Sequence, residues 1–183
     1  MSALPRPDVR PLGRVEYDTL VGAGLLEGEH VELLDGEMVR VSPQGPAHAQ
    51  TLRNLIRLLA PVVAQGWDLD VQMPIAATAD SEPEPDVAIR RRGDYSQDHP
   101  PSADLVIEVS VSSLPLDRTR KARIYAAAGV KTYWIVDVGA REVIVCTVPH
   151  QSRRLWRSLD TRRPGDRLTA PGGIRFDVGE LFT

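Results

Sequence analysis

Residues 104–137, DLVIEVSVSSLPLDRTRKARIYAAAGVKTYWIVD, constrain the fold of this chain more than any other stretch. An apolar run is followed by a polar loop, a helical stretch that Asp117 opens as N-cap and Gly129 closes, and a second apolar run ending at Asp137. That order predicts strand, crossover helix and strand. Such a unit sets its two strands parallel in one sheet. The expected class is therefore α/β, with a mixed central sheet flanked by helices.

Glu108 interrupts the first apolar run. Leu105, Val106, Ile107 and Val109 suit a buried strand, whereas a carboxylate there costs roughly several kcal/mol unless a cation, a metal or a proton offsets it. Lys121, in the following helix, is the available cation. The chain has two lysines, Lys121 and Lys131, against 20 arginines, so its ordinary surface is filled with arginine. A lysine inside an arginine-rich turn then points to work suited to a compact point charge, beside a scissile phosphate or an attacking water.

The remaining sequence narrows the class of protein. A length of 183 residues with 42% hydrophobic and 26% charged content suits one domain with a real core, expected over 15–183. Residues 1–14, rich in proline and arginine, read as a flexible arm. No run of 18 apolar residues exists, and the N-terminal stretch lacks the apolar core of a signal peptide, so no membrane association and a cytoplasmic location are expected. The lone Cys146 excludes an internal disulfide and reads as a small buried hydrophobe. A formal net charge of -3 argues against a purely electrostatic nucleic-acid binder, although Arg90, Arg91 and Arg92, the arginines around Lys121, and those from Arg153 to Arg167 concentrate positive charge locally.

Along the chain, Val15 to Gly22 forms a short helix, and Asp35-Gly36 turns a hairpin between Val31–Leu34 and Met38–Val41. Glu32, on the first arm of that hairpin, is a carboxylate able to join a site made by later strands. Leu52, Leu55, Ile56, Leu59 and Val62 recur at helical spacing, predicting a helix over 47–64 that Pro61 interrupts. His48, in its first turn, is placed to touch a phosphate or a metal-bound water. Trp67 to Ile75 alternates as a strand, and the prolines at 83 and 85 deliver Asp86 at the head of the next strand, Val87 to Ile89. Beyond 137, strands at 143–148 and 155–159 and an alternation near 174–178 finish the sheet and cover a face.

Asp86, Glu108 and Lys121 together carry chemistry. Converging carboxylates hold a hard divalent cation such as Mg²⁺ through oxygen ligands. A nearby lysine orients a water and stabilises charge on a phosphate.

The ordered set ELLDGE (32–37), SPQGPAH (42–48), PDVAI (85–89), DLVIEVSVSS, Asp117, Lys121, Tyr125, AGV (128–130) and YWIVD (133–137) resembles the Uma2 family of the PD-(D/E)xK superfamily. The resemblance implies a restriction endonuclease-like fold. It matches Asp86 to the family's PD acid, Glu108 to its second acid, Glu32 to a recurring early acid and His48 to a frequent histidine. Ser110 stands where the superfamily's usual lysine falls, and Lys121 matches the lysine that takes over from the helix. The resemblance thus implies a Mg²⁺-dependent endodeoxyribonuclease, Mn²⁺ substituting, with DNA as partner and a homodimer as a possible assembly. In this reading Glu32, Asp86 and Glu108 gather the metal, and Lys121 and His48 assist. The alternative is a nuclease-like protein that binds nucleic acid or a protein partner without cutting.

Overall fold

A computed structural model describes residues 10–183. Of the arm expected at 1–14, residues 1–9 lie outside the described residues. Leu12 is held by donating its backbone N–H to Gly36 O at 2.9 Å. That approach explains Gly36: its φ is +76°, and a Cβ there would stand 2.3 Å from Pro11 Cβ.

The chain begins with helix α1 (Arg14–Gly22) and the antiparallel hairpin β1 (Val31–Leu34) and β2 (Glu37–Arg40). Helix α2 (Pro46–Leu59) follows. It passes into a 3-10 segment at Ala60–Gln65, as Pro61 requires, and Gly66 ends it in the left-handed region. The central sheet comprises β3 (Trp67–Val71), β4 (Val87–Arg91), β5 (Leu105–Ser110), β6 (Thr132–Asp137), β7 (Glu142–His150) and β8 (Leu155–Arg162), in that spatial order. Every neighbouring pair is antiparallel except β5 and β6, which run parallel from Leu105 opposite Thr132 to Ser110 opposite Asp137. A helix over 114–127, α3, is the crossover between them. The strand–helix–strand unit read from 104–137 is this parallel pair.

Strand alternation divides the core into two layers. Leu105, Ile107 and Val109 face the α2 side with Val87, Ile89, Trp134 and Val136, and pack on Leu52, Leu55 and Leu59. Each fully buried leucine contributes about 1.5–3 kcal/mol. Val106 faces the other side with Ala88, Tyr133, Ile135 and Cys146, under Ala122, Tyr125 and Ala126 of α3. Glu108 has the parity of Val106, so it lies under α3. The tail adds a small separate sheet, β9 (Arg167–Thr169) with β10 (Arg175–Asp177), whose Phe176 meets Trp134 edge-on at 6.1 Å on the α2 face.

Two expectations need correction. Asp117 does not cap α3: the helix starts at Leu114, and Asp117 lies inside it, buried, at the head of a π-helical turn over Asp117–Lys121. Asp117 O accepts from Ala122 N, five residues on, and also from the Tyr133 hydroxyl at 3.1 Å. That second donor, reaching up from β6, favours the wider turn. The strand expected from Trp67 to Ile75 stops at Val71, because Gln72 has a φ of +51° and leaves the sheet.

The first two of the three consecutive arginines are structural. Arg90 bonds Asp68 and Asp70 and lies over Tyr95, while Arg91 covers Trp67. No helix among the described residues is long and apolar enough to cross a membrane.

One buried acid sets a pH response. Glu82 bridges to Leu33 through its backbone, its buried Oε2 makes no hydrogen bond among the described residues and lies 3.6 Å from Arg14, and burial followed by the proximity of Asp18 raises its pKa to about 7 against the opposing pull of Arg14. A carboxyl whose folded pKa is raised stabilises the fold at low pH and loses that contribution as pH rises, here between about 4.5 and 7. Glu82→Gln should therefore melt at or near the wild-type temperature near pH 4.5 and roughly 3–8 °C higher near pH 8. Thermal unfolding followed by circular dichroism across that range checks it, and a pH-independent offset would contradict it.

Candidate active site

The antiparallel β4–β5 ladder ends at Val87 opposite Ile107. Continuing its register by one position sets Asp86 across from Glu108 on the α3 side. There the Asp86 side chain replaces the ladder: Oδ2 accepts from the Val109 backbone N–H at 2.8 Å. The two strands part at this point, and the gap opens into a cleft of about 880 Å³ lined by Glu32, His48, Gln72, Glu84, Asp86, Glu108, Asp117 and Lys121, among others.

All five residues singled out in the sequence reach this cleft. Glu32 arrives from β1, His48 from the first turn of α2, Asp86 from the head of β4, Glu108 from β5 and Lys121 from α3. Lys121 Nζ lies 2.9 Å from Glu108 Oε1 and 3.0 and 3.1 Å from the two carboxylate oxygens of Glu32. Glu32 thus faces the lysine with both oxygens. The sequence reading set Glu32 among the acids gathering the metal and did not assign it this ion pair. His48 Nε2 is 3.0 Å from Asp86 Oδ2, and His48 Nδ1 is buried with no partner among the described residues. The other lysine, Lys131, pairs with Asp104 on the exposed surface, so the buried pairing belongs to Lys121 alone.

Burial dominates the electrostatics. It pushes the carboxyls of Glu108 and Glu32 upward, with Lys121 pulling against it in both. For Lys121 burial acts downward, but the negative fields of Glu108 and Glu32 outweigh it and leave its pKa raised, so the side chain is an ammonium. Burial likewise holds the Tyr125 hydroxyl far above its usual range. It therefore donates, to Glu108 Oε1, at 2.6 Å.

Sequence reasoning gave no site role to Tyr125, Gln72, Glu84 or Asp117. Gln72 Nε2 approaches Asp86 Oδ1 at 3.5 Å, the limit of a hydrogen bond, and Glu84 lines the cleft from an exposed position. The strained φ of Gln72 is visible only in the folded backbone. Ser110 and Ser113 both donate to Asp117 Oδ2 at 2.6 Å, fixing the start of the π turn that carries Lys121. Arg120 is committed elsewhere: it binds Leu34 O, Asp35 and Glu37, tying the hairpin to α3.

The donor set suits Mg²⁺ in a limited way. Among the described residues no group of three or more His, Cys, Asp or Glu side chains could hold a metal ion. Two carboxylate oxygens of these cleft-lining acids are nevertheless lightly engaged: Asp86 Oδ1, with its marginal contact to Gln72, and Glu108 Oε2, which accepts no hydrogen bond among the described residues. Mg²⁺ is commonly held by one or two carboxylates plus water and phosphate oxygens, and that pair matches this mode.

A mixed sheet with one parallel pair, a helix on each face and paired acids where two strands part defines a restriction endonuclease-like core. A solved structure from Anabaena variabilis ATCC 29413, described as "a putative nuclease belonging to DUF820", shares it with a TM-score of 0.67 at 15% identity, covering 83% of this chain and 89% of that one. The profile of the Uma2 family, described as "Putative restriction endonuclease", matches residues 15–179. The chain belongs to the Uma2 family, within the PD-(D/E)xK superfamily. No curated protein matches it.

Proposed function

We propose that this protein is a Mg²⁺-dependent endodeoxyribonuclease, with Mn²⁺ able to substitute. The observation that carries the reading is the pair of lightly engaged oxygens, Asp86 Oδ1 and Glu108 Oε2, in one cleft with a buried ammonium. Asp86 and Glu108 would hold the cation, which when bound supplies Lewis acidity to the phosphate and to the attacking water. Glu32 holds Lys121 in place; Lys121 presents its charge to the phosphate and orients the water. His48 fixes Asp86 through Nε2. The cleft is strongly acidic, so a polyanion enters it favourably only with a cation present. The reading also rests on family membership, which covers residues 15–179.

The test is incubation of supercoiled plasmid and linear single- and double-stranded DNA with purified protein and Mg²⁺ or Mn²⁺. Nicking or linearisation is expected, abolished by chelator and reduced about 10²–10³-fold in Asp86→Asn, the size of effect typical of losing a charge-stabilising group. Cleavage that survives unchanged in Asp86→Asn would come from elsewhere and sink the proposal.

A further inference from the structure

We infer that Tyr125 is a positioning residue for Glu108: with Lys121 it occupies Oε1 and so turns Oε2 toward the cation that this cleft would take. The inference rests on the metal-dependent reading above and goes beyond it, because the hydroxyl touches neither substrate nor metal.

The terminal torsion of a glutamate is broad, so a buried carboxylate keeps one orientation only if its oxygens are engaged unequally. Here the inequality is built by α3. Lys121 and Tyr125 are four residues apart, hence on the same helix face, and they deliver Nζ at 2.9 Å and Oη at 2.6 Å to the same oxygen. Tyr125 is fully buried, and its ring meets that of Tyr133 at a centroid distance of 4.9 Å, which holds it in place. The Tyr133 hydroxyl is occupied by Asp117 O, so the two adjacent phenols have separate tasks. A phenylalanine at 125 would fill the same apolar space, so packing alone does not explain the hydroxyl. Polar groups that orient ligating carboxylates typically change metal affinity 10–100-fold when removed.

Calorimetric titration of Mn²⁺ into wild type, Tyr125→Phe and Tyr133→Phe tests the assignment, with thermal unfolding of each to establish folding. Tyr125→Phe is expected to weaken Mn²⁺ binding about 10–100-fold while Tyr133→Phe, which removes the neighbouring buried hydroxyl, leaves it near the wild-type value. The apparent metal KM for cleavage should rise in the same proportion, with kcat largely recovered at saturating Mn²⁺. Unchanged Mn²⁺ affinity in folded Tyr125→Phe overturns the inference, as does equal weakening in the two variants. A wild-type protein that binds no Mn²⁺ overturns the metal-dependent reading along with it. Tight Mn²⁺ binding that depends on Tyr125 without any DNA cleavage leaves the positioning role standing and removes only the nuclease reading.

Discussion

Lys121→Met is expected to lower the melting temperature by roughly 10 °C near pH 8, the largest stability loss of any single polar substitution in the cleft. Lys121 is 6% exposed and is the ammonium between Glu108, also buried, and Glu32. Methionine keeps the length and apolar stem of the side chain but leaves two buried carboxylates facing each other. Removing one partner of a buried pair typically costs about 3–5 kcal/mol, because the remaining charge is stranded. The loss should depend on pH. Both carboxyls already titrate above their ordinary value because of burial, and without the ammonium opposing it they rise further. Such groups stabilise the fold when protonated and lose that contribution as pH climbs through the raised pKa, so the deficit should shrink near pH 4.5. Calorimetric melting at the two pH values measures it. A Lys121→Met protein as stable as wild type near pH 8 would mean that the triad does not hold the structure together.

Glu108→Gln should behave in the opposite way, giving a protein at least as stable as wild type near pH 8 and almost devoid of cleavage. The amide oxygen can still accept from Lys121 and Tyr125, and Glu32 still offsets the ammonium. With all three groups ionised the triad carries a surplus negative charge, and the substitution removes it. The expected gain is a few degrees in melting temperature, absent at acidic pH, where the glutamate is protonated as well. Activity should fall about 10³-fold, since the lightly engaged oxygen becomes an amide NH₂ that donates and does not ligate. Stability gained where function is lost is the usual signature of a site held under electrostatic strain. Plasmid nicking and calorimetry on the same preparation check both halves. A stable variant with undiminished cleavage would remove Glu108 from the chemistry.

What the sequence made legible follows from what is local. The β5–α3–β6 unit was readable because its apolar runs and glycine stop lie within 104–137, and Glu108 stood out because a carboxylate is costly in that run. The pairing with Lys121 was readable from the scarcity of lysine. The interior of α3 was not. Asp117 has the chemistry of an N-cap, but its carboxylate is taken by Ser110 and Ser113 and its carbonyl by Tyr133, and those partners arrive through tertiary packing. Gln72 was lost for a related reason. Alternation continues through it toward Ile75, and only the observed φ reveals that the strand has ended. Glu32 was singled out in the sequence as an acid able to join a site made by later strands, and in the fold it lines the cleft. The sequence had no means of showing that both of its oxygens lie against Lys121, which depends on how the hairpin packs on the helix.

The hairpin that carries Glu32 is not hydrogen-bonded into the central sheet; it forms a sheet of its own. The two halves of the lysine's environment therefore differ in the order in which a folding chain can make them. Lys121 and Glu108 are separated by 13 residues, whereas Lys121 and Glu32 are separated by 89. The cost of closing a loop rises with its length, and distant contacts are favoured only once nearer ones have formed. The strand and its crossover helix can thus capture the ammonium first, and the N-terminal hairpin completes the cluster on docking. A chain in which 104–137 has assembled ahead of that docking would hold its lysine against one acid only. Maturation of the cleft would then register the arrival of the hairpin, which should appear as a late step in hydrogen exchange, separate from formation of the sheet.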